Sequence, residues 1–84
     1  MDKTIELKKN NNGNYTGLND RGAQIVIYQV KDDYDYPTGW NWILSRNEKK
    51  WFGEENARSP QVALASLSTF IHNTWNKDIE MELL

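Results

Sequence analysis

Ala23-Gln24-Ile25-Val26-Ile27-Tyr28-Gln29-Val30-Lys31 is the clearest strand in the chain. Its residues are mostly β-branched or aromatic, the types that suit a pleated surface. Apolar side chains fall on both faces, Ile25 and Ile27 on one and Val26, Tyr28 and Val30 on the other. Two-sided apolarity predicts a central position in a sheet. Downstream, Trp40-Asn41-Trp42-Ile43-Leu44-Ser45-Arg46 alternates, with Trp40, Trp42 and Leu44 pointing one way and Asn41, Ile43 and Ser45 the other. Between the two strands, Asp32 to Gly39 reads as an acidic, tyrosine-bearing loop that contains Pro37 and Gly39.

Working outward, Thr4 to Leu7 is a short alternating segment that reads as an edge strand or the start of a hairpin. Asn10-Asn11-Asn12-Gly13-Asn14 follows as a turn, because Asn and Gly tolerate positive φ. Tyr15 to Leu18 is a candidate return strand, and Asn19-Asp20-Arg21-Gly22 a second turn. After Arg46, Asn47-Glu48-Lys49 turns the chain and Lys50 to Gly53 returns with Trp51 and Phe52. Arg58-Ser59-Pro60 places a capping hydroxyl before a proline at the first helical position. From there to Trp75, the residues Ala63, Leu64, Leu67, Phe70, Ile71 and Trp75 share one arc of roughly 140°. Asn76 is placed to end the helix, and residues 77–84 read as either a last strand or a docked tail. The whole predicts one α+β domain, a three- to four-stranded antiparallel sheet with one amphipathic C-terminal helix packed on one face.

At 84 residues with no cysteine, the chain has no disulfide framework, thiol nucleophile or thiolate metal site. Such a domain depends on its core, and large aromatics fill one efficiently. The missing cysteines fit a reducing compartment, and the expected location is cytoplasmic. Ten basic and twelve acidic residues give a net charge of −2, without the basic excess usual in nucleic-acid binders. No apolar run reaches the length of a membrane span, and Met1 to Asn10 lacks an apolar signal segment.

Seven aromatic residues fall between Tyr28 and Phe52, and their allocation is the functional question. A helix of this length spans about 25 Å and covers one face of a small sheet. The second apolar face then needs the N-terminal hairpin, the C-terminal tail, a second copy of the chain or a foreign partner. Trp51, with Phe52 beside it, and Trp75 are assigned to the helix–sheet seam. Tyr34 and Tyr36 are expected to be exposed. Trp40 and Trp42, divided evenly between core and surface, complete the candidate partner-binding set of Tyr34, Asp35, Tyr36, Trp40 and Trp42. Trp and Tyr are the types enriched at interface hot spots.

The remaining constellations are weaker. Asp32, Asp33 and Asp35 could offer oxygens to a hard cation, but the calcium-loop pattern is absent and a solvated acidic loop is the preferred reading. Arg46, Lys49, Lys50 and Arg58, near Trp51, form the alternative nucleic-acid-binding set, opposed by Glu48, Glu54 and Glu55. His72 is the sole histidine, and no Ser-His-acid arrangement or phosphate loop can be drawn. The chain is expected not to be an enzyme, with no catalytic residue, metal or cofactor.

From Trp40 to Trp75, Trp-bearing strands lead through Trp51-Phe52 and a Ser59-Pro60 start into Val62-Ala63-Leu64-Ala65-Ser66-Leu67. This order resembles the C-terminal half of small phage-encoded sandwich proteins, in which a hairpin feeds a P-x-x-A-L-x-x-x helix. The N-terminal helix of that pattern is missing here. The resemblance implies a phage or mobile-element accessory protein that acts by binding, and the two-sided apolar strands point to a protein-binding module, an inhibitor or adaptor or a homodimer. Nucleic acid is the second choice of partner, and no membrane is implied.

Overall fold

The computed structural model describes residues 4–18, 22–54 and 56–84. Seven elements follow in chain order: β1 (Ile5–Lys9), β2 (Tyr15–Leu18), β3 (Gln24–Lys31), β4 (Pro37–Arg46), β5 (Lys49–Phe52), α1 (Pro60–Trp75) and β6 (Met81–Leu83). The strands make one six-stranded sheet in the order β5-β4-β3-β2-β1-β6. The class is the expected α+β, but the sheet is wider than three or four strands and it is mixed. Strands β1 and β6 run parallel, while the other neighbours are antiparallel. The first strand is therefore interior rather than an edge, and residues 81–83 are a strand rather than a tail. Of the turn expected over 19–22, only Gly22 lies within the described residues, as does only Glu54 of the Glu54–Glu55 pair.

Local chemistry sets the helix ends. Ser59 is extended (φ −152°), and its Oγ accepts the Val62 N–H at 3.2 Å, satisfying one of the donors left free at a helix start. Pro60 occupies the first turn, where its missing N–H is harmless. Asn76 adopts a left-handed conformation (φ 53°), and its N–H donates to the His72 carbonyl at 2.8 Å. Ala63, Leu67 and Ile71, spaced four apart, are the buried stripe.

Cross-strand register divides the sheet into two faces. Ile25 pairs with Leu44, Ile27 with Trp42 and Leu44 with Trp51, all on the face beneath α1. Ile5 and Leu7 extend this layer, where they pair with Met81 and Leu83. The core is thus Ile5, Leu7, Ile25, Ile27, Trp42 and Leu44 against Ala63, Leu67 and Ile71. Gly17 sits on the same face, and a Cβ there would come within 2.8 Å of Leu7 Cδ2. A run of rings seals the helix–sheet seam: Trp42 to Phe70 at 5.0 Å, Phe70 to Trp75 at 5.6 Å and Trp75 to Trp51 at 5.2 Å, the last two edge-on. Edge-to-face contacts of this kind add to simple burial. Trp51 and Trp75 therefore meet as expected. Phe52 does not join them, since it pairs with Ile43 across β4 and is 56 % exposed.

Candidate functional site

Among the described residues, no helix or strand lies over the other face of the sheet. Val26 pairs with Ile43, Ile43 with Phe52, Thr16 with Val26 and Tyr28 with Asn41 on this side. Val26, Tyr28, Val30 and Ile43 are half-buried, and among the described elements α1 lies against β3, β4 and β6 from the opposite side. Exposed Leu18 and Phe52 flank them on β2 and β5. Two of the four covers considered from the sequence are now spent. The N-terminal hairpin and the C-terminal segment joined the sheet edgewise, so they widen the open face instead of covering it.

Opposite charges mark the two ends of the β3–β4 hairpin. At one end, Asp32 organises the loop. Its Oδ1 accepts the N–H groups of Tyr34 (2.9 Å) and Tyr36 (3.0 Å), and its own N–H donates to the Tyr36 carbonyl at 2.9 Å. Asp35 is left-handed (φ 65°) and lies 3.5 Å from the Lys31 ammonium. The β1–β2 loop is built in the same way. Asn10 Oδ1 accepts from Asn12 and Asn14, and Gly13 (φ 84°) stands where Asp35 does. At the far end, β4 and β5 are joined by Asn47 and Glu48, both at positive φ (51° and 69°), the two-residue turn that matches strand twist. Arg46 and Lys49 pair across that turn, and Lys50 follows on the open face opposite Ser45.

The structure divides the residues singled out from the sequence. Tyr34 (83 %) and Tyr36 (69 %) are exposed, and so is Asp35. Trp42 is only 3 % exposed, which corrects the expectation of a shared Trp surface. Its indole lies under the helix against Phe70, and Nε1–H reaches Ser66 Oγ at 3.4 Å. Trp40 is half-buried on that same covered face, with its ring 6.2 Å from Tyr15. The Ala57 backbone bonds it in both directions at 2.7 Å. Arg46, Lys49 and Lys50 gather at one turn. Arg58 does not join them, because it follows Ala57 at the Trp40 end of β4, six residues or roughly 20 Å from Arg46. The residues missed from the sequence are the open-face set Val26, Tyr28, Val30 and Ile43. Their alternation was visible, but the tryptophans of the opposite parity outweighed it.

Other chemistry is sparse. His72 Nδ1 lies 2.8 Å from Asp78 Oδ1, with both side chains largely in solvent. Among the described residues, no group of three or more His, Cys, Asp or Glu side chains is placed to hold a metal ion. Asp32 Oδ1 is engaged by the loop's own N–H groups. An open cleft of about 350 Å³ lies where α1 overhangs the end of β5, lined by Trp42, Phe52, Glu54, Ser66, Thr69, Phe70 and Asn73. Beside it, Gly53 has no room for a side chain, since a Cβ there would collide with the Asn41 carboxamide and approach the Trp42 indole nitrogen to 2.9 Å. No described helix is long and apolar enough to cross a membrane. The chain matches no protein-family model, no curated protein and no solved structure.

Proposed function

We propose that the chain is a non-enzymatic protein-binding module that docks through the open face of its sheet, with the acidic Tyr34/Tyr36 loop at one end of the contact. The observation that carries this reading is that, among the described residues, one helix covers a six-stranded sheet whose second face carries apolar side chains along β2 to β5, with Glu6, Lys8 and Glu82 toward β1 and β6. Contiguous apolar surface on a small domain marks interaction sites, and both chain segments that could have covered it lie in the sheet instead. The exposed rings of Tyr34, Tyr36 and Phe52 supply contact area of the type that dominates interfaces. In this reading the protein works in the cytoplasm as an accessory protein or inhibitor that acts by binding. Val26, Tyr28, Val30, Ile43 and Phe52 replace Trp40 and Trp42 as the contact residues.

The test is amide NMR of the labelled protein, first diluted in buffer and then in cell extract. Broadening or shifts confined to Val26, Tyr28, Ile43, Phe52 and residues 32–36 are expected in at least one of the two settings. Signals on β3 and β4 that stay sharp and unmoved in both would end the proposal. A second reading, single-stranded nucleic-acid binding, draws on one feature: Lys50 and the exposed Phe52 ring share the open face two residues apart. It expects oligonucleotide binding that weakens steeply with salt, and no binding at low salt removes it.

A further inference from the structure

We propose that the occupant of the open face is a second copy of this chain, stacked sheet on sheet with its strands reversed. In this arrangement the acidic loop of each copy lies over the basic turn of the other. The inference rests on the protein-binding reading above and names its partner.

Charge placement carries the argument. At the β3–β4 loop, Asp32, Asp33 and Asp35 against Lys31 leave −2. At the β4–β5 turn, Arg46, Lys49 and Lys50 against Glu48 leave +2. The ten residues of β4 hold these ends roughly 30 Å apart, well beyond the screening length of about 8 Å at physiological salt. Within one copy they therefore barely compensate each other. Between them, the open face of β3 and β4 carries no charge, only Val26, Tyr28, Val30 and Ile43 with the polar Gln24, Asn41 and Ser45.

Stacked sheets lie about 10 Å apart, close enough for loop side chains at their ends to meet. Two two-fold arrangements bring the open faces together. With the axis along the strands, acidic loop meets acidic loop and basic turn meets basic turn. With the axis across the strands, each acidic loop meets a basic turn, and symmetry makes that contact twice. Like-charge juxtaposition disfavours the first and complementarity favours the second. Size sets the strength. Strands β2 to β5 offer a patch of roughly 20 Å by 25 Å, or roughly 500 Å² per copy, at the low end for a specific interface. The pairing is therefore a reversible one, with dissociation in the micromolar range or weaker.

Sedimentation equilibrium from micromolar to millimolar protein, at low and high salt, is the test, with three variants. Wild type is expected to dimerise and to weaken as salt rises. The doubly substituted Lys49→Glu/Lys50→Glu chain and the doubly substituted Asp33→Lys/Asp35→Asn chain are each expected to self-associate at least tenfold more weakly. An equimolar mixture of the two regains pairing, because each then presents the charge the other needs. Val26→Lys places a charge at the centre of the face and abolishes dimerisation, with circular dichroism confirming the fold. Wild type that stays monomeric at every concentration overturns the inference. If such a monomer still shows open-face shifts in cell extract, protein binding survives with a foreign partner. A dimer indifferent to salt and to both charge reversals overturns the reversed stacking.

Discussion

Ile27 and Trp42 sit opposite each other on one face of the sheet and are closed off by α1. One residue along, Val26 and Ile43 make the same kind of cross-strand pair on the other face and stay half-exposed. The two pairs are alike in chemistry and differ only in what lies above them. Composition therefore does not distinguish a core residue from a contact residue here. The distinction is made by the helix, and by which parity of the strands it lands on.

Substitutions break or sharpen this contrast. On the covered face, Trp42→Ala removes a ring that touches Phe70 and is expected to destabilise by about 4 kcal/mol in urea unfolding. That is a large part of the stability of a small domain, so this variant reports on folding and not on binding. A loss below about 1 kcal/mol would mean the helix does not close over Trp42 as described. Gly17→Ala pushes a methyl toward Leu7, which is fully buried, and is expected to lose about 2 kcal/mol. Lifting the cover at its hinge is milder. Ser59→Ala deletes the bond to the Val62 N–H and is expected to lose about 1 kcal/mol, with faster amide exchange in the first helical turn. On the open face, Val26→Lys in dilute protein is expected to change stability by less than about 1 kcal/mol, since it forfeits cross-strand contacts but no core. An effect as large as that of Trp42→Ala would erase the distinction between the faces. At the end of the open face, Asp35→Gly removes a left-handed non-glycine residue and is expected to gain up to about 1 kcal/mol in thermal unfolding.

That last position shows what the sequence could and could not say. Asn10–Asn14 and Asp32–Tyr36 fold into the same hydrogen-bonded loop, yet only the first looks like a turn from its residues. The second was expected as a loop over Asp32–Gly39, but Pro37, Thr38 and Gly39 already belong to β4, and the shorter loop's geometry rests on one Asp32 oxygen. The helix was legible to the residue at both ends, because Ser59, Pro60 and Asn76 act through bonds to their own neighbours. The alternation in β3 and β4 was equally plain. Which parity faces the helix was not, because it depends on how β3, β4 and β5 pair and on where a segment some twenty residues away comes to rest. Trp40 and Trp42 stayed divided between core and surface for that reason while entering the candidate contact set, and Phe52 was placed in the core. For residues 77–84 a strand and a docked tail stayed equally open on the same ground, and the structure makes 81–83 a strand. Three residues with near-alternating charge carry little local signal, and their partner is β1.

The pairing of β6 with β1 also sets an order of events. The hairpins β1–β2, β3–β4 and β4–β5 each close a few residues of chain, and such contacts form quickly. Ile5 must wait for Met81, and the bond from Thr4 to Glu80 spans 76 positions. Closing a loop of that length carries an entropic penalty that no short turn shares. Strand β6, three residues long and at the edge of the sheet, is expected to be the last piece to arrive and the first to let go. When it lets go, the underside of α1 loses the cover of Met81 and Leu83, and the helix gains a free flank while the β3–β4 hairpin stays folded.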